Sequence, residues 1–244
     1  MIDGKKVLAV VPARGGSKGL PGKNLRDLLG HPLMAYSVKA GLDAQYVDRV
    51  LVSTDDDEIA ATGEKYGAEV PFLRPSDLAA DQSTDLEFWL HALDYLREEE
   101  GYEPEYVVQL RPTSPIRPTG LIDECVRKLH EAQADSLRVV TPAPATPYKM
   151  WEVDEKSDRM SPLLQLPSVI EPQNQARQTL PQVYWQIGTL DVIRTEVITE
   201  RHRLSGDAIV PFILDTSYAV DIDTLADFNR AANILSLNGI VRFQ

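Results

Sequence analysis

An apolar, β-branched run, Lys6–Val11 (K-V-L-A-V-V), breaks directly into a glycine-rich basic loop, V-P-A-R-G-G-S-K-G-L-P-G-K-N from Val11 to Asn24. The run has the make-up of a strand buried on both faces, as in a parallel sheet. The same punctuation recurs downstream. Helical spacing over Pro32–Leu42 leads to a strand at Arg49–Ser53, and a helix over Asp56–Tyr66 leads to a short strand at Val70–Leu73. An amphipathic helix over Thr84–Glu99 leads to Tyr106–Leu110, and a helix over Leu121–Ala132 leads to Ser136–Thr141. Strands alternating with helices predict an α/β fold, a doubly wound and mostly parallel sheet. Such sheets bind ligands outside the carboxyl ends of their strands, where the basic loop and the loop after Leu110 would both lie.

The loop points to a polyphosphate. It packs four glycines and three cations (Arg14, Lys18, Lys23) into 14 residues, and Lys5–Arg26 holds six cations and no acid in a chain of net charge −12. Glycines let backbone N–H groups approach a ligand closely, and cations neutralise phosphate. The spacing is neither G-x-x-x-x-G-K-[ST] nor G-x-G-x-x-G, so the loop is not a Walker A loop or a dinucleotide fingerprint. It reads as a cradle for the β- and γ-phosphates of a nucleoside triphosphate, the alternative being a flexible basic surface loop. The acidic balance of the whole chain argues against nucleic-acid or membrane-surface partners.

A second constellation is Asp221-Ile222-Asp223, at the end of a predicted strand, Tyr218–Ile222, that follows Ile209–Leu214 and precedes a final helix, Leu225–Leu237. In a strand alternate side chains share a face, so both carboxylates would point the same way, roughly 7 Å apart at Cα. That suits one hard cation shared with substrate phosphates, whereas Asp223 alone would serve as a helix cap. The acids at Asp55–Glu58 read as dipole and capping residues of the helix they open. A third is R-P-T-S-P-I-R, Arg111–Arg117, placed after a central strand and stiffened by proline. It reads as a substrate wall or as a structural turn.

Between Pro142 and Gln186 stand seven of the 17 prolines, yet the segment also carries Tyr148, Met150, Trp151, Leu163, Leu164, Leu166, Val169 and Ile170. A solvated linker has little use for so many apolar groups. We read a single domain, 1–244, with 142–186 as a dimerisation excursion. The lone cysteine, Cys125, falls on the apolar side of a helix and reads as core. No apolar run approaches the ~20 residues of a membrane span, and no signal-peptide pattern is present, so a cytoplasmic location is expected.

Taken together these motifs resemble the acylneuraminate cytidylyltransferases, or CMP-sialic acid synthetases, along nearly the whole chain. The Val11–Asn24 wording carries most of the likeness. Arg74-Pro75-x-x-Leu78-Ala79-x-Asp81, P-T-S-P, Arg177-Gln178-x-Leu180-Pro181 and D-I-D follow in the family's order. The resemblance implies a nucleotidyltransferase fold like that of the nucleotide-diphospho-sugar transferases, and a homodimer with an exchanged arm. It implies transfer of CMP from CTP to a nine-carbon 2-keto sugar acid, with Mg²⁺ as cofactor. Arg14, Ser17, Lys18 and Lys23 would neutralise the triphosphate, with Ala13, Gly15 and Gly16 lining it. Asn24, Arg74 and Asp85 would hold cytidine, and Asp221 and Asp223 the Mg²⁺. Arg14, Lys23, Asp221 and Asp223 would be the catalytic set. Arg111, Lys149, Arg177, Gln178, Tyr184 and Gln186 would face the sugar. Two departures fall on that side: Arg111 stands where the family typically has Gln, and Gln186-Ile187-Gly188 where it typically has Asn-Gly. The sugar acid is therefore left open among sialic, legionaminic and pseudaminic acids and other 2-keto acids. Use of another nucleotide or a sugar phosphate, and a non-catalytic nucleotide-binding relative, also remain open.

Overall fold

The computed structural model describes residues 1–16, 19–237, 240 and 243. Its strands are β1 (Val7–Pro12), β2 (Asp27–Leu28), β3 (His31–Pro32), β4 (Arg49–Ser53), β5 (Tyr106–Gln109), β6 (Ser136–Pro142), β7 (Trp151–Asp154), β8 (Arg159–Pro162), β9 (Tyr184–Arg194) and β10 (Ile209–Ile213). Its α-helices are α1 (Leu33–Asp43), α2 (Asp57–Lys65), α3 (Asp85–Glu100), α4 (Leu121–Ala132), α5 (Thr195–Thr199) and α6 (Leu225–Leu235). Six strands form the central sheet in the order β10-β6-β9-β5-β1-β4. Neighbours run parallel except β9, which is antiparallel to both β5 and β6.

The alternation of β1 shows why the fold has three layers. Val7, Ala9 and Val11 face one way and join Met34 and Val38 of α1, Ile59 of α2, and Cys125, Val126 and Leu129 of α4. Leu8 and Val10 face the other way, against Phe88, Trp89, Leu93 and Leu96 of α3 and Val197 and Ile198 of α5. Every residue from Val7 to Val11 is therefore core, as a two-sided sheet requires. A third cluster seats α6 through Phe228, Ala231 and Leu235 against Leu20, Ile116, Val220 and Ile222. It ties the end of the chain to the basic loop. Local chemistry opens the helices: Asp56 accepts from the amides of Glu58 and Ile59, and Thr84 with Glu87 and Thr224 with Asp227 each form a capping box.

Three expectations change. Val70–Leu73 is no strand: Glu69 makes a single parallel bridge to Leu51, and Pro71, lacking an N–H, cannot extend the ladder. Tyr218–Ile222 is no strand either. Asp215 caps a 3₁₀ turn over Thr216–Tyr218, and the chain then runs as extended loop, fastened where the Ile222 N–H donates to the Thr113 carbonyl at 2.8 Å. Conversely β9 is a full central strand that the hydrophobic pattern did not reveal, because Gly188, Thr189 and the buried Asp191 interrupt its apolar run.

The excursion leaves the sheet at the end of β6 and returns at the start of β9, where Pro142 pairs with Tyr184. In between lie the β7–β8 hairpin and short 3₁₀ turns. Met150, Trp151, Val153, Met160, Leu163, Leu164 and Ile170 are exposed along it, Ile170 at 87%. No helix among the described residues is long and apolar enough to cross a membrane.

Trp89 is wholly buried and donates its indole N–H to Gln109 at 2.9 Å. Trp89→Ala is expected to cost about 3–5 kcal/mol, read as a lowered urea midpoint at unchanged slope. A shift under about 1 kcal/mol would contradict this packing role.

Candidate active site

A cavity of about 390 Å³ opens at the carboxyl ends of β1 and β5. Pro12, Arg14, Gly19, Lys23 and Asn24 line one side, Arg74 and the 78–85 segment another, and Arg111, Pro112 and Thr113 the third, with Asp223 at the edge. The basic loop, the R-P-x-x-L-A-x-D segment, P-T-S-P and D-I-D thus converge on one space, as the topology of such sheets demands.

Each cation there is held by its surroundings. Lys23 is 8% exposed; its Nζ donates to the Ile222 carbonyl and sits 3.3 Å from Asp223 Oδ1. Arg14 reaches across the cavity mouth, donating to the Ala80 carbonyl at 2.9 Å and lying 3.3 Å from Asp81 Oδ1. Asn24 donates to the Arg14 carbonyl at 3.0 Å and so braces the loop from within. Arg74 is 7% exposed, donates through Nε to Ser53 Oγ at 3.1 Å and lies 5.2 Å over the Phe88 ring. Burial pulls its guanidinium below the ordinary arginine range. Two glycines of the loop are there for close approach. A Cβ on Gly15 would meet Asp56 Oδ2 at 2.7 Å, and one on Gly19 the Asp223 carbonyl at 2.8 Å. The Gly15 N–H donates to Asp55 at 3.0 Å, so the acids opening α2 touch the loop as well as their own helix.

The wall is built around Arg111. Its Nη1 donates to Asp191 and its Nη2 to Asp85, both at 2.7 Å. Burial works against its charge, but Asp191 and Asp85 outweigh that and hold the guanidinium above its ordinary value. Arg117 lies wholly buried behind it, donating to the carbonyls of Thr189 (2.9 Å) and Arg111 (3.0 Å) and to Ser37 Oγ (3.0 Å). Burial and the nearby Arg111 charge lower its pKa.

A family model described as Cytidylyltransferase matches residues 8–185. The chain belongs to the cytidylyltransferase family. It is 32% identical over 235 residues to the CMP-N,N'-diacetyllegionaminic acid synthase of Legionella pneumophila, covering 96% of this chain and 97% of that protein. It is 31% identical over 229 residues to the N-acylneuraminate cytidylyltransferase of Escherichia coli O18:K1:H7, covering 94% of this chain and 52% of that longer protein. Among solved structures, CMP:2-keto-3-deoxy-manno-octonic acid synthetase complexed with CTP superposes with a TM-score of 0.70 at 16% identity, over 95% of this chain and 98% of that one. The likeness confirms a nucleotidyltransferase-type fold.

Within this cytidylyltransferase the expected residues separate into two sets. Arg14, Lys23, Asn24, Arg74, Asp85, Arg111 and Asp223 line the one cavity. Ser17 and Lys18 lie outside the described residues. Ala13 is buried beneath the loop, its N–H bonded to the Ser53 carbonyl, and Gly16 is exposed on it. Asp221 is exposed beside Asp223 but is not among the cavity-lining residues. The sugar-side set is scattered. Arg177 and Gln178 border a second cavity of about 380 Å³ with Thr146, Tyr184 a third of about 320 Å³ with Trp185 and Met150, and Lys149 is exposed at the base of the hairpin. Gln186 joins the first set indirectly, donating to Asp191 at 3.3 Å. Asp191, Arg138, Gln109 and Trp89 were not foreseen. The one signal was a carboxylate inside the apolar run T-L-D-V-I, which cannot be buried without a cationic partner.

Lys23→Met removes the cation that faces both the cavity and Asp223. It should weaken binding of a nucleoside triphosphate about tenfold to a hundredfold, the worth of a charged hydrogen bond, measured by titration calorimetry. Unchanged affinity would remove Lys23 from the phosphate cradle.

Proposed function

We propose that the protein transfers CMP from CTP to the anomeric hydroxyl of a nine-carbon 2-keto sugar acid and releases pyrophosphate. One observation carries the reading. Arg14, Lys23 and Arg74 converge on a single cavity beside Asp223, and the relatives that match along the whole chain are CMP-sugar acid synthases. The sugar hydroxyl oxygen forms a bond to the α-phosphorus while the bond from that phosphorus to the pyrophosphate oxygen breaks. The hydroxyl proton passes to solvent or to the exposed Asp223 carboxylate. Positioning and charge neutralisation supply most of the rate in such transfers. Arg14 and Lys23 serve the triphosphate and the leaving pyrophosphate, with Lys18 of the same loop. Asn24 and Arg74 fix the nucleoside side, next to Phe88 and to Asp85, whose Oδ2 is already bonded by Arg111 and Gln109.

The donor set at the cavity edge fits Mg²⁺. No group of three or more His, Cys, Asp or Glu forms a metal cage among the described residues. Mg²⁺ needs only one or two carboxylates alongside substrate phosphates and water. Asp223 and Asp221 flank the buried Ile222 and are both exposed, so they offer hard oxygens of the right kind. Bound there, the ion would neutralise triphosphate charge. A homodimer would cover the exposed apolar side chains of the excursion and bring Lys149, Arg177, Gln178 and Tyr184 to a neighbouring subunit's cavity. A lone thiol and a need for CTP suit a cytoplasmic setting.

Pyrophosphate release is expected with CTP and a nine-carbon 2-keto sugar acid; turnover with UTP or GTP but not CTP would sink the assignment. Asp223→Asn should lower turnover by about a hundredfold or more with folding intact, since metal charge stabilisation is lost. Activity at the unmodified level would refute the metal assignment. Sedimentation velocity should give twice the 27.2 kDa chain mass; a monomer at micromolar concentration would refute the dimer.

A further inference from the structure

Gln109 is polar at a place where the core calls for an apolar residue. It ends β5 in the middle of the central sheet, opposite Val10 on one side and Asp191 on the other, and is 1% exposed. Val107, Val108 and Leu110 beside it are all core. A buried amide is costly unless both its ends are satisfied. Here both are. Trp89 donates its indole N–H to Gln109 Oε1 at 2.9 Å, and Gln109 Nε2 donates to Asp85 Oδ2 at 2.8 Å.

The order of these bonds fixes which way the amide points. An indole nitrogen only donates, and an ionised carboxylate only accepts. Turning the amide over would set N–H against N–H and oxygen against carboxylate, in a place closed to solvent. Asp85 and Trp89 stand four residues apart on α3, so they rise from one side of the helix and the amide spans that turn. Asp85 Oδ2 also accepts from Arg111 Nη2 at 2.7 Å. Two donors from two directions thus fix Oδ2, while Oδ1 receives no hydrogen bond from the described residues. Asp85 lines the cavity together with Phe88, one turn further along α3, and with Arg74, which lies over the Phe88 ring. That is the side assigned above to the nucleoside, whose amino and hydroxyl groups are donors.

Packing alone does not call for this arrangement. An apolar pair of the same shape at positions 89 and 109 would fill the space with no polar atoms to satisfy. It would leave Asp85 tethered to Arg111 only, and able to swing toward the wall. Resting on the cytidylyltransferase reading, we propose that Gln109 is a positioning residue for the nucleotide: clamped by Trp89, it holds Asp85 so that Oδ1 accepts from a donor group of the nucleoside. Neither Gln109 nor Trp89 lines the cavity; both act through Asp85.

The test compares binding of CTP and of inorganic tripolyphosphate by titration calorimetry, since the second carries the phosphates without the nucleoside. Gln109→Leu should raise the Kd for CTP about fivefold to thirtyfold, the scale of one hydrogen bond to a carboxylate. The Kd for tripolyphosphate should move by less than about twofold. Trp89→Phe keeps an aromatic ring in the core but removes the N–H that orients the amide, and should raise the Kd for CTP by at least about threefold with the same selectivity. In an Asp85→Ala background neither substitution should change the Kd for CTP by more than about twofold, because all act through one carboxylate. Thermal melting followed by circular dichroism checks that the variants are folded; Trp89→Phe decides the matter if Gln109→Leu is not. An unchanged Kd for CTP in the folded variant, an equal loss for both ligands, or an undiminished effect in the Asp85→Ala background overturns the proposal while leaving the cytidylyltransferase reading intact. Failure of the unmodified protein to bind CTP overturns that reading and this proposal together.

Discussion

A single buried carboxylate conditions the centre of this molecule. Asp191 sits in the strand that runs against the direction of its neighbours and is closed to solvent. An unpaired carboxylate there would cost several kcal/mol. Arg111 from the end of β5 and Arg138 from β6 meet it from either side. The pair of ion bridges therefore spans three adjacent strands and permits a polar residue in the middle of the sheet. It also carries the loop after β5 to the cavity and fixes where that loop's charge can point.

The rest of the site follows from how a doubly wound sheet ends. β1 and β5 are neighbours and parallel, so the loops leaving their carboxyl ends open on the same side. The basic loop is closed from beyond by α6, whose cluster holds Ile222 and so delivers Asp223 to Lys23. Cations in the cavity rest on backbone oxygens and carboxylates. A triphosphate would exchange those contacts for its own oxygens, so the change in charge on binding is distributed over groups already in place. Such prearrangement reduces the reorganisation that phosphoryl transfer would otherwise require.

Much of this was legible along the chain, and the failures have definite causes. Strands buried on both faces announced themselves by β-branched runs, and Arg49–Ser53 and Leu121–Ala132 have the predicted limits. Capping residues marked the helix starts because their chemistry is local. The strand β9 was hidden because its pattern is broken at Gly188 and Asp191, and only partners distant in sequence make Asp191 tolerable. Val70–Leu73 had the composition of a strand, but Pro71 and the lack of a neighbour ended it after one bridge. The D-I-D motif was expected in a strand with both carboxylates on one face; it is a loop braced by Thr113, with Asp223 lining the cavity and Asp221 outside that lining. Exposure alternates there because Val220 and Ile222 are both pulled into the α6 cluster.

The sequence by itself determined the two-sided sheet, the loop of glycine and cations after its first strand, and the nucleotide chemistry that loop implies. Those are properties of contiguous residues, whose periodicity, charge and backbone freedom act over a few positions. Only the tertiary structure decided that Arg111 is bound by Asp85 and Asp191, and that Asp223 meets Lys23 across 200 positions. The same is true of the separation of Arg177, Gln178 and Tyr184 from the cavity within one chain. Charge balance depends on distance in space, and distance in space between residues far apart along the chain is set by packing.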